Sequence, residues 1–226
     1  KDQSAATNKS DEDLLRVVIF NTERNKTRKK IMDVRYPQNC MDVFAGPSGG
    51  DVQYIAAGHK RKLVLWGVGN DMERGSPGEH LQTVCSASDT AISAVKTVQK
   101  RDMLVTGHES GELVLWHNVS HWILSAAAAQ AKSTRRASSE IAPPPSTVLH
   151  WHAHPVRALA CSTDGGMIFS GGQEGVLVLW QTASMSKSFV PRLGATIKHI
   201  ASCPGQAKVL VSCSDNCLRL INAASM

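Results

Sequence analysis

The chain has 226 residues, of which 42% are hydrophobic and 19% charged, and its formal net charge is +6. This composition is ordinary for a folded globular protein and excludes a chain that is disordered throughout. Because it contains neither an apolar run of the roughly 18 residues that a membrane span needs nor a signal segment, we expect a cytosolic or nuclear protein. The basic charge permits attraction to nucleic acid or to acidic proteins.

One four-residue phrase recurs along the chain. Leu-Val-Leu-Trp stands at 63–66, 113–116 and 177–180, and Leu-Arg-Leu-Ile at 218–221 is a degenerate fourth copy. Each copy follows a small polar turn, which is typical of a short strand that leaves a tight turn. The closing residues are 50, 64 and 41 residues apart. Propeller blades recur at about 40–45 residues, and longer loops absorb the excess, so the pattern predicts an all-β propeller.

The predicted strands group into blades along the chain. Residues 1–13 are predicted to be a frayed tail, and the first blade keeps two strands, at 17–20 and 27–34. The later blades are predicted as follows: the second at 41–44, 53–57, 62–66 and 81–85; the third at 92–98, 103–107, 112–116 and near 121–124; the fourth at 156–161, 167–171, 176–180 and near 189; the fifth at 197–202, 208–212 and 217–222. We therefore expect a segment of one propeller, residues 1–226, with about four to five blades, some incomplete.

The two ends of this arrangement do not complete each other. Strands 17–20 and 218–221 both read as the third strand of a blade, so a shared blade would hold one strand too many. We therefore expect that these residues do not close a ring on their own, and that missing blades come from sequence outside them or from a partner chain.

Residues 125–146 interrupt the strand pattern with an alanine run, serines and three prolines. We interpret them as a low-complexity, disordered loop inserted between blades, although the alanines suit a turn or two of helix. Inside the loop, Arg135, Arg136 and Ser138 resemble a basophilic kinase site; a plain solvated loop is the alternative.

No catalytic, cofactor or metal site is predicted. His150, His152 and His154 alternate beside a strand start without the further carboxylate or His that a metal site needs. No Cys-x-x-Cys pair, nucleophile elbow or phosphate-binding loop occurs, and the six cysteines read as reduced thiols, mostly within strands. We therefore expect a protein that is not an enzyme, has no small-molecule substrate and does not bind a membrane.

The densest basic run is a candidate contact surface. It comprises Arg24, Lys26, Arg28, Lys29 and Lys30, most of them on the predicted outer strand of the first blade. Such a run suits RNA phosphates or an acidic protein, and a solvated outer strand is the alternative.

The fourth blade carries a family resemblance. His152, Ser170, Glu174 and Trp180 stand where WD-repeat blades commonly hold a buried hydrogen-bonded network, with Glu174 in place of the usual Asp. Elsewhere the set is incomplete: Thr106 with Trp116, and Ser212 with Asp215, keep two members each. Because buried polar groups need their partners, we expect the weaker blades to depend more on apolar packing.

Residues 149–154, 170–180 and 189–200 carry a closer resemblance. The phrase Pro-Arg-Leu-Gly-Ala-Thr-Ile at 191–197 is the most specific part. These stretches resemble WD-repeat subunits of the transcription-linked UTP subcomplex of the small-subunit processome. The resemblance implies a nucleolar scaffold for pre-ribosomal RNA processing that supports transcription by RNA polymerase I, with other processome WD-repeat subunits and pre-ribosomal RNA as partners.

Two other function classes stay open. One is a generic WD-repeat adaptor, such as a substrate receptor for ubiquitin ligation, which co-purification with pre-ribosomal RNA would distinguish. The other is a propeller enzyme, which would need a cluster of acids or His at the mouth of the central channel.

Overall fold

The computed structural model describes residues 15–21, 26–34, 40–45, 53–68, 81–85, 88–132, 142–190 and 192–225. The chain divides into two compact units, Lys1–Gln38 and Asn39–Met226. The predicted frayed tail, 1–13, lies outside the described residues.

The first unit contains one antiparallel pair, β1 (Leu15–Asn21) and β2 (Lys26–Val34). Its register runs from Leu15 opposite Val34 to Asn21 opposite Lys26. Both strands overlap those predicted for the first blade, and the β-branched run in β1 favours an extended backbone.

The described part of the second unit holds four antiparallel sheets, each a meander of consecutive strands. The second blade is β3 (Cys40–Ala45), β4 (Gln53–His59), β5 (Lys62–Val68) and β6 (Leu81–Cys85); the third is β7 (Ile92–Val98), β8 (Met103–His108), β9 (Glu112–His117) and β10 (Ser146–His150); the fourth is β11 (Val156–Cys161), β12 (Met167–Gly172), β13 (Leu177–Gln181) and β14 (Lys187–Val190); the fifth is β15 (Ile197–Ser202), β16 (Lys208–Cys213) and β17 (Leu218–Asn222). The prediction of an all-β, partial propeller is confirmed.

The first strands of successive blades lie side by side. β3 contacts β7, β7 contacts β11, and β11 contacts β15. Two matching hydrogen bonds join them: Ser93 Oγ donates to the Val156 carbonyl at 2.6 Å, and Ser202 Oγ donates to the Cys161 carbonyl at 2.6 Å. These inner strands therefore hold neighbouring blades together by polar as well as apolar contacts.

An ion pair joins β3 of the second blade to β7 of the third. Lys96 Nζ lies 3.0 Å from Asp42 Oδ2, which also accepts hydrogen bonds from the Thr97 amide and hydroxyl at 2.8 and 2.7 Å. Burial acts to raise the pKa of Asp42, but the bonds from Thr97 and the charge of Lys96 together hold it below 3.8.

The hydrophobic core lies between the blades. Successive side chains of a strand point to opposite faces, so each sheet packs on both neighbours. Val105, Leu113, Leu115 and Val178 fill the interface between the third and fourth blades and are fully buried. Burying one such side chain contributes about 1.5–3 kcal/mol, which makes these interfaces the main source of stability.

The predicted outer strand near 121–124 is wrong, because these residues lie in a helix, α1 (Val119–Lys132). One face of this helix is buried at helical spacing, through Val119, Trp122, Ile123 and Ala126. The first three pack in a hydrophobic cluster with residues of the second and third blades. The outer strand of the third blade is β10 instead.

The predicted disordered loop 125–146 is wrong at both ends. Its first residues, through Lys132, belong to α1, and Ser146 begins β10. Trp122 Nε1 donates to the Ala142 carbonyl at 2.8 Å, and the His117 amide donates to the Pro145 carbonyl at 2.8 Å. Within 125–146, the residues outside the described ranges are 133–141, which include Ser138.

The other helices of the described residues are two 3-10 turns, Gln99–Arg101 and Ala223–Ser225. No helix in these parts of the chain combines the length and apolar character that crossing a membrane requires.

Candidate functional site

Four side chains of the fourth blade come together. His152 lies in the loop before β11, Ser170 on β12, Glu174 in the turn after β12, and Trp180 on β13. The register places Ser170 opposite Val178, two residues before Trp180, so Ser170 and Trp180 lie on the same face of the sheet.

Hydrogen bonds connect the four in a row. Trp180 Nε1 donates to Ser170 Oγ at 2.8 Å, Ser170 Oγ lies 2.8 Å from His152 Nε2, and His152 Nδ1 bonds to Glu174 Oε1. His152 and Ser170 are fully buried, so water does not compete for these bonds.

The protonation state of His152 follows from its surroundings. Burial lowers the pKa of His152 below 6.5, and the hydrogen bond and charge of Glu174 oppose this effect without overcoming it. A neutral imidazole then donates from Nδ1 to Glu174 and accepts at Nε2 from the Ser170 hydroxyl, which itself accepts from Trp180.

Glu174 fits because of a glycine. Its Oε2 is buried and has no hydrogen-bond partner among the described residues. A Cβ added to Gly172 would lie 2.9 Å from this atom. Gly172 therefore leaves the space that the Glu174 side chain occupies.

The row Ser170, His152 and Glu174 has the order of a nucleophile, a base and an orienting carboxylate. Catalysis would require Ser170 Oγ to reach a substrate, but this residue is 0% exposed and its oxygen accepts the Trp180 N–H. The arrangement is therefore suited to holding the loop before β11 against β12 and β13, and unsuited to acyl transfer.

The third blade has a related network with a different histidine. Trp116 Nε1 donates to Thr106 Oγ1 at 3.1 Å, Thr106 Oγ1 lies 3.0 Å from His108 Nε2, and His108 Nδ1 lies 3.4 Å from the Thr90 carbonyl. Thr106 and His108 are two residues apart on β8 and are both fully buried. Burial lowers the pKa of His108, with smaller opposing contributions from Thr90 and Glu112.

The two networks place the imidazole at different points of the blade. His108 occupies the strand position that Gly172 has in the fourth blade, and Ser88 stands four residues before β7, as His152 stands four before β11. The sequence pattern predicts Thr106 and Trp116 as members of this network but not His108. The spacing Thr-x-His along a strand was the available signal.

A carboxylate completes the polar cluster of the third blade. Glu112 Oε2 accepts hydrogen bonds from Ser88 Oγ at 2.6 Å and Ser110 Oγ at 2.9 Å. These bonds hold the pKa of Glu112 below 4.5. Ser88, at the position of His152, thus reaches an acid as His152 does.

The second and fifth blades have apolar residues at the equivalent position. Ala57 lies opposite Val64, two residues before Trp66, and Val211 lies opposite Arg219, two residues before Ile221. Ala57 and Val211 are fully buried. Apolar packing therefore replaces the hydroxyl there.

The prediction that Ser212 and Asp215 keep two members of the network is wrong. Asp215 instead bonds Arg219 through both oxygens, at 3.2 and 2.6 Å, and this lowers the pKa of Asp215 to about 2. The strand register is the reason. Val211 lies opposite Arg219, two residues before Ile221, and so has the position that Ser170 has in the fourth blade, whereas Ser212 lies opposite Leu218.

The basic run lies in the first unit. Lys26, Arg28, Lys29 and Lys30 are on β2, whereas Arg24 lies outside the described residues. The role of this basic run stays a prediction.

Among the described residues, no group of three or more His, Cys, Asp or Glu is placed to hold a metal ion. Cys161 and Cys213 are buried free thiols, while Cys217 is exposed. Burial raises the pKa of Cys161 to about 12, so this thiol is a poor nucleophile.

Comparison with known proteins finds similarity to WD-repeat proteins. Residues 144–216 match the model of the first β-propeller of WD repeat-containing protein 75. The Xenopus laevis protein of that name is 36% identical over 138 residues, which are 61% of this chain and 14% of that protein. The Homo sapiens protein is 37% identical over 122 residues, 54% of this chain and 12% of that protein.

A fungal protein is similar over a shorter stretch. U3 small nucleolar RNA-associated protein 17 of Schizosaccharomyces pombe is 42% identical over 79 residues, 35% of this chain and 10% of that protein. The chain thus spans between 10 and 14% of the length of these relatives. The fold is that of a partial WD-repeat β-propeller, and the chain is similar to WD repeat-containing protein 75.

Proposed function

We propose that this chain is part of a non-catalytic WD-repeat scaffold that acts in ribosome biogenesis as a component of the small-subunit processome. The observation that carries the proposal is the match of residues 144–216 to the first propeller of WD repeat-containing protein 75. These residues run from the approach to β10 through the buried network of the fourth blade to β16.

The finer role follows from the relatives. The fission-yeast relative is named for its association with U3 small nucleolar RNA. We infer that the present protein works in the nucleolus, takes part in pre-ribosomal RNA processing, binds other processome WD-repeat subunits and supports transcription by RNA polymerase I.

A structural role rather than a catalytic one is supported by the state of the polar groups. The Ser170 hydroxyl, which a catalytic reading would need most, is fully buried and hydrogen-bonded on two sides. The propeller then acts by presenting surfaces, as WD-repeat scaffolds do.

Affinity purification of the tagged chain from nucleolus-containing cells tests the role. We expect U3 small nucleolar RNA and pre-ribosomal RNA to be enriched over an unrelated WD-repeat propeller of similar net charge, measured by quantitative reverse transcription PCR. Recovery of ubiquitin-ligase adaptors without U3 RNA would contradict the proposal and favour the substrate-receptor alternative.

We further propose that direct RNA contact uses the basic run on β2. Each neutralised phosphate contributes about 0.7 to the slope of log affinity against log salt for single strands. Changing Arg28, Lys29 and Lys30 to Gln is therefore expected to reduce the slope by about 2. The matched control changes the exposed Arg157, Lys198 and Lys208 to Gln, which removes the same charge elsewhere. An equal loss of slope in both variants would overturn the assignment.

A further inference from the structure

The outer edge of the third and fourth blades carries an exposed aromatic pair. Trp151, just after β10, is partly exposed, and Phe189 on β14 is 54% exposed. Their ring centroids are 5.6 Å apart with planes inclined by 31°. Trp151 also meets the buried ring of His152 edge to face, so the fourth-blade network fixes its position.

Further side chains extend this surface. Leu149 and Trp151 pack against the core between the two blades. Lys187 lies on β14, with its Nζ 5.9 Å from the centre of the Trp180 ring. We call Leu149, Trp151, Lys187 and Phe189 the outer aromatic cleft.

The two chain segments that form the cleft contain no acidic residue. Residues 142–151 and 181–196 include no Asp or Glu, but they include Lys187 and Arg192. Two carboxylates lie beside these segments, and both have partners. Glu112, opposite His150, is hydrogen-bonded to Ser88 and Ser110. Glu174 is bonded to His152, whose ring contacts Trp151. The cleft therefore combines an apolar floor of Leu149, Trp151 and Phe189 with two exposed cations, Lys187 and Arg192, in the segments that form it.

The cleft lies between two sheet edges. β10 and β14 are each the outermost strand of their sheet, paired with a neighbour on one side only within the described residues. An outermost strand presents backbone N–H and C=O groups to which an extended peptide adds as a further strand. The exposed rings of Trp151 and Phe189 would give alternate side chains of such a peptide an apolar contact.

We propose that the outer aromatic cleft binds an extended acidic peptide segment of a partner protein, with a bulky apolar side chain seated against Phe189 and Trp151. Sheet edges and an apolar floor suit a peptide backbone. A single-stranded nucleic acid would instead need a line of phosphate-neutralising groups, and the segments offer two formal cations. The inference names a partner class for the proposed scaffold and rests on that function.

Binding of a defined peptide to the 226-residue chain tests the cleft. The probe is the acetylated peptide Asp-Glu-Leu-Asp-Phe-Glu-Asp, whose Leu and Phe fall on one face of a strand, and the readouts are fluorescence anisotropy and tryptophan emission. We expect saturable binding that weakens with salt, and no binding of a peptide with Lys at every acidic position.

Two variants locate the site. Phe189→Thr is expected to weaken binding about tenfold, because truncating a central aromatic anchor removes most of the apolar contact. The double change Lys187→Gln with Arg192→Gln is expected to weaken it several-fold and to reduce its salt dependence. The matched control is Val148→Thr, because Val148 is 48% exposed on the other face of β10.

Three results would overturn the proposal: no binding, equal loss in the Val148 and Phe189 variants, or displacement of the peptide by oligouridylate. The last result would assign the cleft to nucleic acid. A midpoint of thermal unfolding equal to that of the wild-type chain verifies that the variants are folded. If the peptide does not bind but U3 RNA still co-purifies with the chain, the proposal for the cleft alone is rejected. If the peptide binds but U3 RNA does not co-purify, the proposed ribosomal role is rejected.

Discussion

Gly111 and His152 are in direct contact across the boundary between the third and fourth blades. A Cβ added to Gly111 would overlap the carbonyl oxygen of His152 and lie 2.7 Å from its carbonyl carbon. Gly175 repeats the relationship one blade later, where an added Cβ would lie 2.6 Å from the Ala195 carbonyl oxygen. In both blades the turn after the second strand thus packs against the loop that leads into the next blade. The loop that Gly111 contacts precedes β11 and carries His152 of the fourth-blade network.

Replacement of Gly111 by Ala should therefore destabilise the chain more than its backbone angle alone requires. Gly194 is the matched control, because its φ of +90° is within one degree of the +89° of Gly111 while no atom lies within 4 Å of an added Cβ. Gly194→Ala is expected to cost about 1–2 kcal/mol from the left-handed backbone, and Gly111→Ala a further 1–3 kcal/mol, roughly, from the overlap. Equal costs in urea unfolding would show that the contact carries no strain.

Removing the Ser170 hydroxyl tests the fourth-blade network. In Ser170→Ala, Trp180 Nε1 and His152 Nε2 lose their shared partner, and an unsatisfied buried group costs about 1–3 kcal/mol. The control is Ser184→Ala, since Ser184 makes its hydrogen bonds at the exposed surface. Chemical denaturation checks the difference, and an unchanged midpoint for Ser170→Ala would contradict the network's contribution.

Stability should fall on mild acidification. The pKa of His108 and His152 is lowered from 6.5 in the folded chain by burial. The unfolded chain therefore binds more protons below about pH 6.5 than the folded chain does, so stability is full above this pH and decreases below it. Asp42 contributes only at lower pH, because its folded pKa is below 3.8.

Urea unfolding between pH 8 and pH 5 measures this dependence. His152→Gln and His108→Gln should each lower the stability at pH 8 but flatten its decrease toward pH 5. His121→Gln is the control, because His121 is exposed on α1. A wild-type free energy of unfolding that stays constant from pH 8 to pH 5 would refute the assignment of neutral buried imidazoles.

Asp102, in the turn before β8, should stabilise the first turn of α1. Its Oδ1 accepts a hydrogen bond from the Ser120 amide at 2.8 Å in the first turn of the helix. Asp102→Ala is expected to cost about 1–2 kcal/mol, part of it because Asp102 has φ +48°. Asp102→Asn should cost less, since Asn keeps an oxygen acceptor and tolerates this backbone. Circular dichroism at the helix band checks both variants, and an equal loss would exclude the capping role.

The insertion shows where local sequence patterns mislead. His121 to Leu124 look like a strand because a fourth strand is due at that point of the blade, and the alanines that follow look like filler. Asp102 and the buried face of Val119, Trp122 and Ile123 instead select a helix. These partners come from other parts of the chain, so a local pattern carries no sign of them.

The sequence by itself determined the repeat, the strand order of the blades apart from the outer strand of the third, and the positions of His152, Ser170, Glu174 and Trp180. It did so because strand alternation and turn residues are local properties, and the repeat places the same residue types at the same positions. Only the tertiary structure decided that His108 joins the third-blade network, that Val211 and not Ser212 holds the equivalent position, and that Trp151 meets Phe189. Register and the contact between blades determine these, because a side chain's partners depend on which strands and loops lie beside it.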